Sequence, residues 1–135
     1  QPDAPIARAR GPEAQAQARV ELRKAIASLP AYIAACSLFV ALTPPMFHED
    51  GMPMDFQTWG MRGWCRLERF AVAMSDRAPP MILLRSEDLL IEVGARHYLF
   101  DSVCRGEFSD DSVRPVVGGL VKLLFAKKLE RLEQA

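Results

Sequence analysis

The sequence predicts an α/β domain in which a parallel sheet of about three strands is flanked by helices. Two compact apolar runs, Ser37 to Leu42 (SLFVAL) and Met81 to Leu84 (MILL), lack the alternation of a half-solvated strand and suit buried strands of a parallel sheet. Segments of helical period separate them. The order helix, strand, helix, strand, helix then implies parallel strands joined by right-handed crossovers.

Residues 1–11 read as an extended arm, because Pro2, Pro5 and Gly11 interrupt any period. The single domain spans residues 12–135. Its first helix starts at Pro12, which suits a first helical position. Glu13 complements the amino-terminal dipole, and Leu22, Ile26, Leu29 and Ile33 recur at helical spacing. Ser28 and Pro30 mark an expected break and restart. After the SLFVAL strand, Thr43 to Gly60 is a long Pro-, Gly- and Met-rich loop without periodicity, hence functional or mobile. A helix follows over RGWCRLERFAVAMS and ends near Asp76, ahead of Pro79 and Pro80. MILL is the second strand, and Leu89 to Val93 is a further apolar run. Asp110 or Asp111 caps a last helix with Val113, Val117, Leu120 and Leu124 on one face.

With 135 residues, 50% hydrophobic and 25% charged, the chain has the composition of one globular domain. Seventeen basic and 17 acidic residues cancel, and no segment interleaves basic residues with aromatics, which argues against a nucleic-acid partner. Cys36, Cys65 and Cys104 are odd in number and widely spaced, so reduced thiols and an intracellular protein are expected, in the cytoplasm or an organelle such as a plastid. Ala25 to Phe47 carries no charge, but Pro30, Pro44, Pro45 and several polar residues divide it, so no transmembrane span is expected. The chain opens at Gln1, with Arg8, Arg10 and two prolines in its first ten residues, which suggests a processed end or part of a longer protein.

Glu68 is the residue that most needs explaining. At about 100° per residue, Trp64, Leu67, Ala71 and Met74 form one apolar stripe, widened by Met61, Cys65 and Val72, and Glu68 falls inside that arc. Arg62, Arg66 and Arg69 take the opposite, solvated face. A buried carboxylate requires a partner, a shifted pKa or a cleft.

The succession LRKAIASLPAYIAACSLFVALTP, loop, WGMRGWCRLERFAVAMS and PMILLRS resembles the second half of a Toll/interleukin receptor (TIR) domain, from about residue 18 to residue 86. The WCxxE motif is Trp64, Cys65 and Glu68. The form with RGWCR and a later GEF (Gly106, Glu107, Phe108) is similar to sequences of unicellular algae. The resemblance implies a truncated flavodoxin-like (TIR-like) sheet whose first strand and following loop lie upstream of Gln1. It also implies an intracellular interaction module. For enzymatic members it implies cleavage of the nicotinamide bond of NAD, with Glu68 as the catalytic carboxylate.

Each candidate residue also has a plainer role. Glu68 can accept hydrogen bonds from loop amides or pair with Lys24 or Arg85, tying the loop to the helix. Trp59 and Trp64 flank the GMRG turn and can stack on an adenine or nicotinamide ring, or pack with Arg62 or Arg66 across them. Cys65 is a nucleophile or a core thiol. His97 is the obvious base for the first of these, though nothing in the sequence places it nearby. His48, Glu49, Asp50 and Asp55 form an acidic turn whose spacing matches no metal site. FAKKLERLEQA is a solvated helix end whose Leu129 and Leu132 extend an apolar edge. The preferred expectation is a non-catalytic TIR-like interaction module, an accessory or structural subunit with no cofactor, whose incomplete sheet is covered by other protein chains. The alternative is an NAD hydrolase using Glu68, with NAD as substrate.

Overall fold

The computed structural model describes residues 11–94 and 101–134. The expected arm, apart from Gly11, and His97 lie outside them. Helix α1 (Pro12–Ala35) is followed by β1 (Phe39–Leu42), the short strands β2 (Met46–Phe47) and β3 (Pro53–Met54), α2 (Phe56–Met61), α3 (Gly63–Met74), β4 (Met81–Leu84) and β5 (Leu90–Val93). Two 3-10 turns, Val103–Arg105 and Asp111–Val113, lead into α4 (Arg114–Gln134).

The predicted α/β class is found, with one change of direction in the sheet. Strand order is β1-β4-β5; β1 and β4 are parallel, but β5 runs antiparallel to β4. The connection explains this, because Arg85–Leu89 is a tight turn closed by the Arg85 amide on the Leu89 carbonyl (2.9 Å). A parallel partner would need a crossover of a dozen or more residues.

Other expectations shift locally. Helix α1 runs unbroken through Pro30. That proline forgoes only the bond to the Ile26 carbonyl, and the Ser28 hydroxyl bonds back to Ala25 at 2.9 Å. The loop after β1 holds regular structure: β2 and β3 pair antiparallel, and α2 is capped by Asp55, whose Oδ1 accepts from the Gln57 and Thr58 amides at 2.8 and 3.0 Å. Asp110 caps the 3-10 turn Asp111–Val113, from which α4 then winds.

Register decides where the core lies. Phe39, Ala41, Met81, Leu83 and Val93 share one face of the sheet and pack against Leu29 and Ile33 of α1, Ala71 and Val72 of α3, and Leu124 of α4. A second cluster, Leu22, Ile26, Leu67, Val103, Val113 and Val117, sits where α1, α3 and α4 meet the 3-10 turns. Helix α3 is therefore buried on more than one side. The opposite parity, Val40 and Leu42 with Ile82 and Leu84 and with Leu90 and Glu92, forms a face that no described element covers. Leu42 is 68% and Leu90 62% exposed there.

The buried charge of α3 is Arg69, not Glu68. Expected on a solvated face, Arg69 is 2% exposed. Its guanidinium donates to the Cys65 carbonyl (3.3 Å) and the Gly60 carbonyl (3.2 Å), pairs with Asp101 (3.3 Å) and lies 5.0 Å from the centre of the Trp59 ring. Arg66 donates to the same Gly60 oxygen at 2.8 Å and to Ser102 at 3.0 Å. The carbonyl left open at the end of α2 is thus met by two arginines of α3, which fixes the angle between the helices. Arg69→Lys keeps the charge but loses the fork, and it should lower stability by about 2 kcal/mol in urea unfolding.

Candidate functional site

Arg62 is extended (φ −71°, ψ 128°) between α2 and α3, and α3 has no side-chain cap. Its first amide is satisfied from far along the chain. Gly63 N–H donates to the Glu107 carbonyl (2.7 Å), and Glu107 N–H donates to the Met61 carbonyl (2.8 Å). This bridge demands two residues without side chains. A Cβ on Gly106 would stand 2.4 Å from the Gly63 Cα, and one on Gly63 would stand 2.2 Å from the Phe108 ring. The RGW and GEF segments, distant in sequence, therefore interlock as one unit. Trp64 meets Phe108 edge to face (5.6 Å, 83°), and Arg114 lies over Phe108 at 5.0 Å while donating to the Gly106 carbonyl at 3.0 Å.

Between these segments lies a concavity of about 370 Å³ lined by Arg62, Trp64, Cys65, Glu68, Glu107, Phe108 and Ser109. That volume is at the small end for ligand sites. Glu68 is partly buried in its wall, one helical turn after Trp64. Among the described residues it forms no hydrogen bond or ion pair. The expected tie to the loop is not made: Lys24 pairs with Glu21 at 3.0 Å, and Arg85 lies over Phe56 at 5.5 Å. Glu68 faces the cleft instead, and burial raises its carboxyl pKa above the ordinary value. Burial, with the Glu68 charge added, pushes the Cys65 thiol up to about 11, so at neutral pH Cys65 is a protonated thiol and a poor nucleophile.

The expected trio divides. Trp64 and Glu68 share the concavity, whereas Trp59 lies under Arg69 and lines a smaller cleft of about 100 Å³ with Thr43, Asp55 and Thr58. Arg62 lines both, and it is Arg69, not Arg62 or Arg66, that lies across a tryptophan. In the acidic loop, Asp50 accepts from the Met52 amide (3.0 Å) and contacts His48 (3.0 Å), while Asp55 is the α2 cap. Among the described residues no group of three His, Cys, Asp or Glu side chains is placed to hold a metal ion, and no helix is long and apolar enough to cross a membrane. Sequence reasoning passed over Glu107, Phe108 and Ser109 as wall residues. The signal was Gly106, a glycine outside any turn requirement, which marks close backbone approach.

Comparison with known proteins finds no family model, no curated protein and no solved structure that matches this chain.

The raised pKa of Glu68 has a defined sign in stability. The folded state holds the Glu68 proton more tightly than the unfolded chain, so the stabilisation is complete below the unfolded pKa and is lost as pH rises through the folded value. Glu68→Gln should therefore melt higher than the parent protein at pH 7, with the difference vanishing near pH 4, as followed by thermal denaturation across that range.

Proposed function

We propose that this chain is a protein-interaction module, an accessory or structural subunit whose docking surface is the uncovered face of its sheet. One observation carries this reading. The strands SLFVAL and MILL are apolar on both parities, the pattern of strands buried on two sides, yet the described helices cover only one. Val40 and Leu42 of β1 and Leu90 of β5 are 49%, 68% and 62% exposed, in register across Ile82 and Leu84. Leu38, 47% exposed, continues the same parity. Full burial of a leucine is worth about 1.5–3 kcal/mol, so covering this face supplies several kcal/mol to association. The outer edge of β1, unpaired among the described residues, adds free backbone groups beside it. The resemblance to TIR domains, many of which assemble without turnover, agrees with this reading.

A photo-crosslinking residue in place of Val40 should capture a protein partner in cells, and Leu42→Asp should abolish capture without changing the melting temperature of the isolated chain. A Val40 position that crosslinks no more than a control on the exposed turn at Glu87 would sink the reading.

A second reading rests on Glu68, a carboxylate without a hydrogen-bond or ion-pair partner among the described residues, in a concavity it shares with Trp64. In it, NAD is the substrate and Glu68 stabilises the positive charge that develops at the ribose as nicotinamide leaves. The expected outcome is nicotinamide release that disappears in Glu68→Gln while the fold is kept. An assembled protein that releases none contradicts it.

A further inference from the structure

We infer that the uncovered sheet face is occupied by the carboxy-terminal half of α4 from a second copy of this chain. The inference rests on the reading of that face as a docking surface and names its occupant.

The complement lies on the same molecule. Lys122, Phe125, Leu129 and Leu132 fall within about 80° of arc on α4 at 100° per residue. All four are exposed, with Phe125 at 51%, Leu129 at 46% and Leu132 at 64%. This stripe points away from the side that docks: Lys128 donates to the Ser75 carbonyl (3.2 Å), and Arg131 pairs with Asp76. The helix is therefore anchored along one side, while no described element covers its apolar stripe.

The two surfaces match in chemistry. The sheet face is apolar apart from Glu92, which stands across from Ile82 in the central row. The α4 stripe is apolar apart from Lys122 at one end, with Glu133 flanking it at the other. Neither Lys122 nor Glu92 forms an ion pair among the described residues, and each would be left in an apolar contact if that contact formed without the other. The dimensions match as well. Three strands at about 4.8 Å spacing make a face about 10 Å across, the diameter of one helix. Lys122 to Leu132 runs roughly 15 Å.

One such contact has a footprint of roughly 150 Å² per side, well below the about 600 Å² per partner of a small stable interface. Reciprocal exchange, α4 of each copy on the sheet of the other, doubles it and closes a twofold pair. Head-to-tail addition leaves one sheet and one helix open and grows into chains. The association is accordingly weak and concentration-dependent.

Sedimentation equilibrium of the whole chain, from micromolar to near-millimolar concentration, tests this. Reversible self-association is expected, as a dimer or as short chains. Leu42→Asp on the sheet and Leu129→Asp on the helix should each abolish it. Mixing the two variants should give a heterodimer weaker than the parent association, because one intact sheet and one intact helix leave a single contact between them. Glu92→Lys or Lys122→Glu should weaken association by about tenfold, and the double reversal should recover it. Circular dichroism checks each fold, and Val40→Lys with Leu132→Asp serve as a second pair should either of the first fail to fold. A chain that stays monomeric throughout, or association insensitive to both Leu42→Asp and Leu129→Asp, overturns the inference. If the chain is monomeric while position 40 still crosslinks a different protein, the occupant is wrong and the docking reading stands.

Discussion

The structure turns on a three-stranded sheet that the described elements cover on one face only. Residue parity places Ala41, Met81, Leu83 and Val93 on the same side, and helices α1, α3 and α4 gather there. Because side chains alternate along a strand, every residue one position away is committed to the other face. The strands are nonetheless apolar at both parities, so the fold carries apolar surface that its own described helices do not use. Core formation and the exposed patch are two results of one pattern.

The second organising feature is the joint between α2 and α3. Helix α2 ends at a carbonyl claimed by Arg66 and Arg69, and α3 begins at an amide claimed by Glu107. The first joins neighbouring helices through side chains and the second is a long-range backbone bond, and Arg66 also ties the Ser102 carbonyl to α3. Gly63 and Gly106 permit the approach, and the concavity holding Glu68 opens between the segments they join. Buried arginine holds the joint and the partly buried glutamate is left facing solvent, so structural and chemical capacity are divided between neighbouring residues of one helix.

Much of this was legible in the sequence. Continuous apolar runs gave β1 and β4 and their parallel pairing, and the spacing of Leu22, Ile26 and Ile33 gave the inner face of α1. The antiparallel direction of β5 was missed: the shortness of Arg85–Leu89 carries it, but hydrophobic content alone does not report direction. Glu68 is partly buried and faces a cleft, as its place in the apolar arc implied, but the assignment of Arg69 to a solvated face failed because a single amphipathic stripe presumes a helix with one buried side. Helix α3 has several, since Leu67 faces one cluster and Val72 another. Arg69 is tolerated inside because the Cys65 and Gly60 carbonyls and the distant Asp101 meet its guanidinium, an arrangement that periodicity does not encode. The GEF wall was invisible for the same reason, with only Gly106 as a sign.

Carbene footprinting of the outward side chains addresses the one-sided sheet most directly. Val40, Leu42 and Leu90 should label readily in dilute protein and lose labelling when the sheet face is occupied. Low labelling of these three already in the dilute monomer, or labelling that never changes with assembly, would contradict a sheet built to be covered by another chain.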